Sequence, residues 1–238
     1  TGVQTCALPI FKKAVNIYTD DKELGIKTFG EINTWDVSEI GDMSELFKGK
    51  HKFNEDISSW NTSKVEKMVR MFEDAALFNQ PLGNWNVERV EDMESMFNGA
   101  TSFNQYLNSW NTLSLKDTSF MFENAKSFNQ PLDCWNVSKV NNMRSMFYNA
   151  QNFNQPLNNW NMESVQDMMY MFEGAKSFNQ SLDLWNLSSM DIPNFYMYNI
   201  FEKASCMLST FPNLKETPDT SNWKENFNRA KPTKGARH

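Results

Sequence analysis

The chain has 238 residues, 40% of them hydrophobic and 22% charged, enough to bury a core. It holds 15 Met, 19 Phe and 8 Trp, which excludes compositional disorder for most of its length, while 2 His leave little room for His-based triads or multi-His metal sites. A net charge of −6 does not favour a nucleic-acid-binding face, and no apolar run approaches the roughly 18 residues of a membrane-spanning helix.

In chain order, residues 1–10 read TGVQTCALPI, the translation of a common sequencing adapter, and are set aside from fold reasoning. With Cys6 set aside too, Cys134 and Cys206 are read as free thiols rather than a disulfide framework or a zinc site. Residues 11–31 are expected to form a helical N-terminal cap. Phe11, Ala14, Val15, Ile17 and Tyr18 fall at helical spacing, and Thr19-Asp20-Asp21 is a second start signal.

Residues 32–190 are a repeat array. Trp35, Trp60, Trp85, Trp110, Trp135, Trp160 and Trp185 recur every 25 residues. Phe47, Phe72, Phe97, Phe122, Phe147 and Phe172 keep that period, as do Phe53, Phe78, Phe103, Phe128, Phe153 and Phe178, each followed by Asn. From Val90, the apolar residues Met93, Met96, Phe97, Ala100 and Phe103 stand at offsets 3, 6, 7, 10 and 13, which predicts a short helix over about 93–100. Asp42, Asp92, Asp117, Asn142 and Asp167 precede that segment as expected caps. Upstream, Trp85 and Val87 alternate with Asn84, Asn86 and Glu88, the pattern of a short half-buried strand. The FNQPL segment is a turn, since proline cannot join a ladder and Asn bonds nearby backbone.

One strand and one short helix per 25 residues predict an α/β fold: a leucine-rich-repeat-like, right-handed solenoid whose strands pair in parallel between coils. Residues 191–216 are expected to form a degenerate closing coil. Ile200, Phe201 and Ala204 match Met171, Phe172 and Ala175 at 29 residues instead of 25, which implies a four-residue insertion. Residues 217–238 form a polar tail, expected to be disordered.

With this unit in view, W-N-V-S-x-V-x-x-M-x-x-M-F-x-x-A-x-x-F-N-Q-P-L, the sequence resembles the BspA-like leucine-rich-repeat surface proteins. It is most similar to their 25-residue branch, a repeat domain of unknown function also found in surface lipoproteins. The resemblance covers about two thirds of the chain and is carried almost unaltered by Phe72-Glu73-Asp74-Ala75-Ala76-Leu77-Phe78-Asn79-Gln80-Pro81-Leu82. It implies a cell-surface or extracellular interaction protein, in some members an adhesin, and carries over no catalytic residue.

The Met columns fit core filling better than a soft-metal site, and the Trp column fits burial better than an exposed sugar-stacking strip. Asn after each Trp should project from the opposite face. Asn61, Asn86, Asn111, Asn136, Asn161 and Asn186, with Asp36 in the first coil, therefore form the candidate binding face, flanked by Ser38, Ser63, Glu88, Ser138 and Glu163. The bland alternative is that these amides bond one another and the backbone between coils. The asparagines of the FNQ segments are expected to stabilise turns. Asn61, Asn136, Asn179 and Asn186 begin N-x-[ST] sequons, which a repeat of Asn and Ser generates automatically.

The sequence reading is thus a non-enzymatic repeat scaffold, without cofactor, metal or catalytic residues, that binds a protein or glycan partner and not nucleic acid. The rival readings are a targeting or binding module of a larger enzyme or receptor, and a purely structural surface-layer element.

Overall fold

The computed structural model describes residues 8–187 and 199–215. The tail 217–238, most of the adapter-like segment and the insertion at 191–196 lie outside them.

Two helices begin the described chain, α1 (Leu8–Asp20) and α2 (Lys22–Phe29). Phe11, Ala14, Val15 and Tyr18 of α1 are buried, and Phe11 and Tyr18 meet the Trp35 ring edge-on at 6.1 and 5.6 Å. Asp21 caps α2 by accepting the Leu24 N–H at 3.0 Å, satisfying one otherwise orphaned donor. Gly25 lets α2 close on α1, because a Cβ there would lie 2.5 Å from the Tyr18 Cα. A third helix, α3 (Ser205–Thr210), follows the last described coil.

Between these ends the chain stacks in 25-residue coils, but not as an α/β leucine-rich-repeat solenoid. Among the described residues there is no strand and no sheet. Pairing of the β type is limited there to isolated parallel bridges linking Asp42, Lys67, Asp92, Asp117, Asn142 and Asp167 in succession. The expected strand at 85–88 has the right alternation, Trp85 and Val87 buried and Asn86 and Glu88 exposed. Its backbone groups are used locally instead: Trp85 N–H bonds the Leu82 carbonyl and Val90 N–H bonds that of Val87.

The expected helix at 93–100 is also overturned. The N–H groups of Met93, Ser95, Phe97 and Gly99 donate to the carbonyls of Asp117, Ser119, Met121 and Glu123 in the next coil, at 2.8–3.0 Å. Those of Met96, Asn98 and Ala100 close tight turns onto Met93, Ser95 and Phe97, so none reaches the carbonyl four residues back that an α-helix requires. Left-handed residues make this possible. Ser95 (φ 55°) and Gly99 (φ 69°) reset the chain direction, as do Arg70 and Asp74, Phe120 and Asn124, and Ser145 and Asn149 in neighbouring coils. The same alternate-residue ladder runs from coil to coil, so every coil is a series of turns welded to its neighbour. The capping aspartates consequently cap turns, as in Asp92 Oδ1 accepting the Glu94 N–H at 3.0 Å.

The core is a set of columns. Successive Phe47, Phe72, Phe97, Phe122, Phe147 and Phe172 rings stack at 5.4–5.7 Å, and within each coil the partner ring of the second column lies about 4.0 Å away, as in Phe97–Phe103. Met93, Met96 and Ala100 are buried beside them. At the closing end the register between coils changes by four residues. Phe172 N–H bonds the Ile200 carbonyl at 2.9 Å, 28 residues ahead where earlier coils reach 24, and the Phe172 and Phe201 rings stack at 5.7 Å.

Candidate functional site

The residue after each Trp is exposed in every coil: Asp36, Asn61, Asn86, Asn111, Asn136, Asn161 and Asn186. They form a column opposite the buried indoles, as the alternation demands. They do not bond one another. Oδ1 of Asn61, Asn86, Asn111, Asn136 and Asn161 accepts the N–H two residues on, from Ser63, Glu88, Leu113, Ser138 and Glu163, at 3.0–3.3 Å. Because the partner is an N–H donor, the oxygen must face it, and each amide NH2 points away from the turn. Among the described residues, no group accepts from these five Nδ2 atoms. Asp36 makes the same turn, and its hydrogen bonds from Ser38 hold its carboxyl below the usual carboxylate range.

The FNQ asparagines behave differently. Oδ1 of Asn54, Asn79, Asn104, Asn129 and Asn154 accepts the backbone N–H of the equivalent Asn one coil on, each at 2.9 Å. The following Gln adds its Nε2 to the same oxygen, as Gln105 does to Asn79 at 2.9 Å. This is a structural ladder between coils, not merely turn support within one.

The Trp column is no sugar platform. Each of the seven indoles is 3% exposed, and each Nε1 from Trp60 to Trp185 donates to a carbonyl 28 residues earlier at 2.9–3.1 Å. Cys134 and Cys206 are free and exposed. Among the described residues no cluster of His, Cys, Asp and Glu is arranged to hold a metal ion, and no helix is long and apolar enough to cross a membrane.

Two half-buried carboxyls stand out electrostatically. Burial pushes the Asp92 carboxyl up, aided by repulsion from Asp117 in the next coil. Burial likewise raises Glu123, with a smaller contribution from Glu73. Among the described residues neither has a cation within ion-pair distance, whereas Glu94 is 3.1 Å from Arg70 and Glu173 is 2.9 Å from Lys203.

One feature escaped the sequence reading: a cleft of about 400 Å³ between the α1–α2 corner and the first coil, lined by Tyr18, Asp20, Lys22, Lys50, His51 and Lys52 among others. The available signal was Lys50-His51-Lys52, which stands where later coils carry Ala75-Ala76-Leu77 or Ala125-Lys126-Ser127.

Stacked turn-built coils with an exposed amide column define a repeat protein. The family model described as "Mycoplasma protein of unknown function, DUF285" matches residues 16–133, 107–213 and 131–234 in overlapping segments, and the chain belongs to that family. No curated protein and no solved structure matches the chain.

Proposed function

We propose that this chain is a non-enzymatic scaffold that binds an extended protein or glycan through the row Asn61, Asn86, Asn111, Asn136, Asn161 and Asn186. One observation supports this reading above others: five successive exposed amides have their oxygens committed to the backbone and their NH2 groups uncommitted. A rigid row of donors repeating at roughly the 4.8 Å of hydrogen-bonded backbone neighbours suits an extended, acceptor-rich ligand and costs little ordering on binding. The resemblance to BspA-like surface proteins favours a cell-surface or extracellular setting.

The test is an array of glycans and proteins probed with the folded chain and with the triple variant Asn86→Ser, Asn111→Ser, Asn136→Ser. Serine keeps the oxygen that caps the turn but loses the outward amide. Binding should disappear while the melting temperature stays within about 2 °C, as expected of surface changes. Retained binding, or no array binding by the folded parent, overturns the proposal.

A further inference from the structure

We infer that the cleft between the helical cap and the first coil is a binding site for a small organic oxyanion, a carboxylate or a phosphate ester. It is separate from the asparagine row and does not depend on it. The cleft's volume of about 400 Å³ falls within the range of small-molecule sites.

The residues around it are those the repeat does not dictate. Later coils place small alanines, Ala75, Ala100, Ala125, Ala150 and Ala175, where the stack needs close approach, and all five are fully buried. The first coil faces the cap instead of another coil, and carries Lys50 in that slot. His51 and Lys52 follow, and Glu55 takes the place of the glutamine of the FNQ segments.

Charge then selects the ligand. Lys22 pairs with Glu55 at 2.7 Å and Lys50 with Asp20 at 2.8 Å, so these two lysines are held in place across the cleft. Each ammonium carries three donors, so a single carboxylate contact leaves further donors for a ligand. Lys52 makes no ion pair among the described residues. His51 donates Nδ1–H to the Asp74 carbonyl at 2.7 Å, which orients the ring and leaves Nε2 as its remaining polar atom. Three lysines face two carboxylates here, a local positive excess in a chain of net charge −6. Tyr18 and Phe53 form an apolar floor against which a ligand's non-polar part can rest.

Titration of the full chain with phenyl phosphate, benzoate and neutral benzyl alcohol, followed by amide NMR, tests the assignment. Saturable shifts across residues 49–55 are expected with one or both anions, and which anion acts distinguishes the two chemistries. Lys52→Glu should weaken the anion's binding at least roughly tenfold, the loss of one charge-assisted contact, and Lys52→Gln should weaken it less. Lys126→Glu, at an exposed lysine elsewhere on the stack, should leave it unchanged. The spectrum of each variant reports its folding directly. The assignment is overturned by absence of saturable shifts with both anions, by equal response to benzyl alcohol, by undiminished binding in Lys52→Glu, or by equal weakening in Lys126→Glu.

Discussion

Trp110 Nε1 donates to the carbonyl of Leu82, 28 residues earlier, at 2.9 Å. The most hydrophobic-looking column of the sequence is therefore also a column of hydrogen bonds, each indole satisfying a buried carbonyl of the coil before it. That dual use favours Trp in every coil, since Phe would fill most of the volume but forgo a hydrogen bond between coils.

Trp110→Ala should cost roughly 3–5 kcal/mol, as large aromatic truncations do. Trp110→Phe should cost less, about 0.5–1.5 kcal/mol, because it removes one of the two hydrogen bonds the Leu82 carbonyl accepts and leaves the one from Trp85 N–H. Chemical denaturation of both variants measures the difference. Since each coil contacts its neighbours, the Ala variant should also broaden the transition as the two halves uncouple. Unchanged stability in both would show that the indoles contribute neither packing nor hydrogen bonding.

Asn104 should tolerate Asp but not Leu. Its Oδ1 accepts Asn129 N–H at 2.9 Å and Gln130 Nε2 at 3.1 Å, and a carboxylate preserves both acceptances. Leucine leaves a half-buried N–H unpaired, at a cost of about 1–3 kcal/mol. Thermal melts of the two variants should separate accordingly, and equal melting temperatures would contradict the ladder.

Gly99 is held at φ 69°, and a Cβ there would lie against Asp74 Oδ1. Gly99→Ala should destabilise by roughly 1–2 kcal/mol from the left-handed backbone alone. Combining it with Asp74→Ser should recover the part that arises from the side-chain contact, which a double-mutant cycle isolates. Strict additivity would place Asp74 away from the glycine.

Glu123 gives the stack a pH dependence of definite sign. Its folded carboxyl is raised above the ordinary Glu value of about 4.3, first by burial and then by repulsion from Glu73. An acid raised on folding is without effect below its unfolded pKa, and it destabilises progressively as pH rises through the unfolded and then the folded value. Glu123→Gln should therefore be more stable than the parent near neutral pH, with the advantage vanishing below about pH 4. Denaturant midpoints at the two pH values check this, and an advantage persisting in acid would point to packing rather than charge.

The sequence made the period, the inward columns and the outward asparagines legible, because all three depend only on which side chains alternate. Burial of Trp85, Val87, Met93 and Phe97 agrees with that pattern. Secondary structure within the coils was not legible, although the helical spacing of Phe11 to Tyr18 and the start signal at Asp21 agree with the two cap helices. Offsets of 3, 6 and 7 from Val90 describe one face of a helix, but they equally describe turns in which every second N–H crosses to the next coil. What separates the two is the left-handed backbone at Ser95 and Phe120, and neither residue type announces it. At the candidate face, spacing placed Asn86 and Asn111 outward but could not show that their oxygens turn back onto Glu88 and Leu113. The cap cleft was hidden because it is formed by residues 18–22 and 49–55, which only folding brings together.

The asparagines fall into two columns: Asn79, Asn104 and Asn129 bond successive coils together, while Asn86, Asn111 and Asn136 are the proposed ligand-facing row. Measuring melting temperature and array binding on one triple Asn→Ser variant of each column tests that division most directly. The first variant should melt markedly lower, while the second should keep its melting temperature and lose binding. A second variant that melts lower yet binds normally per folded molecule would contradict it.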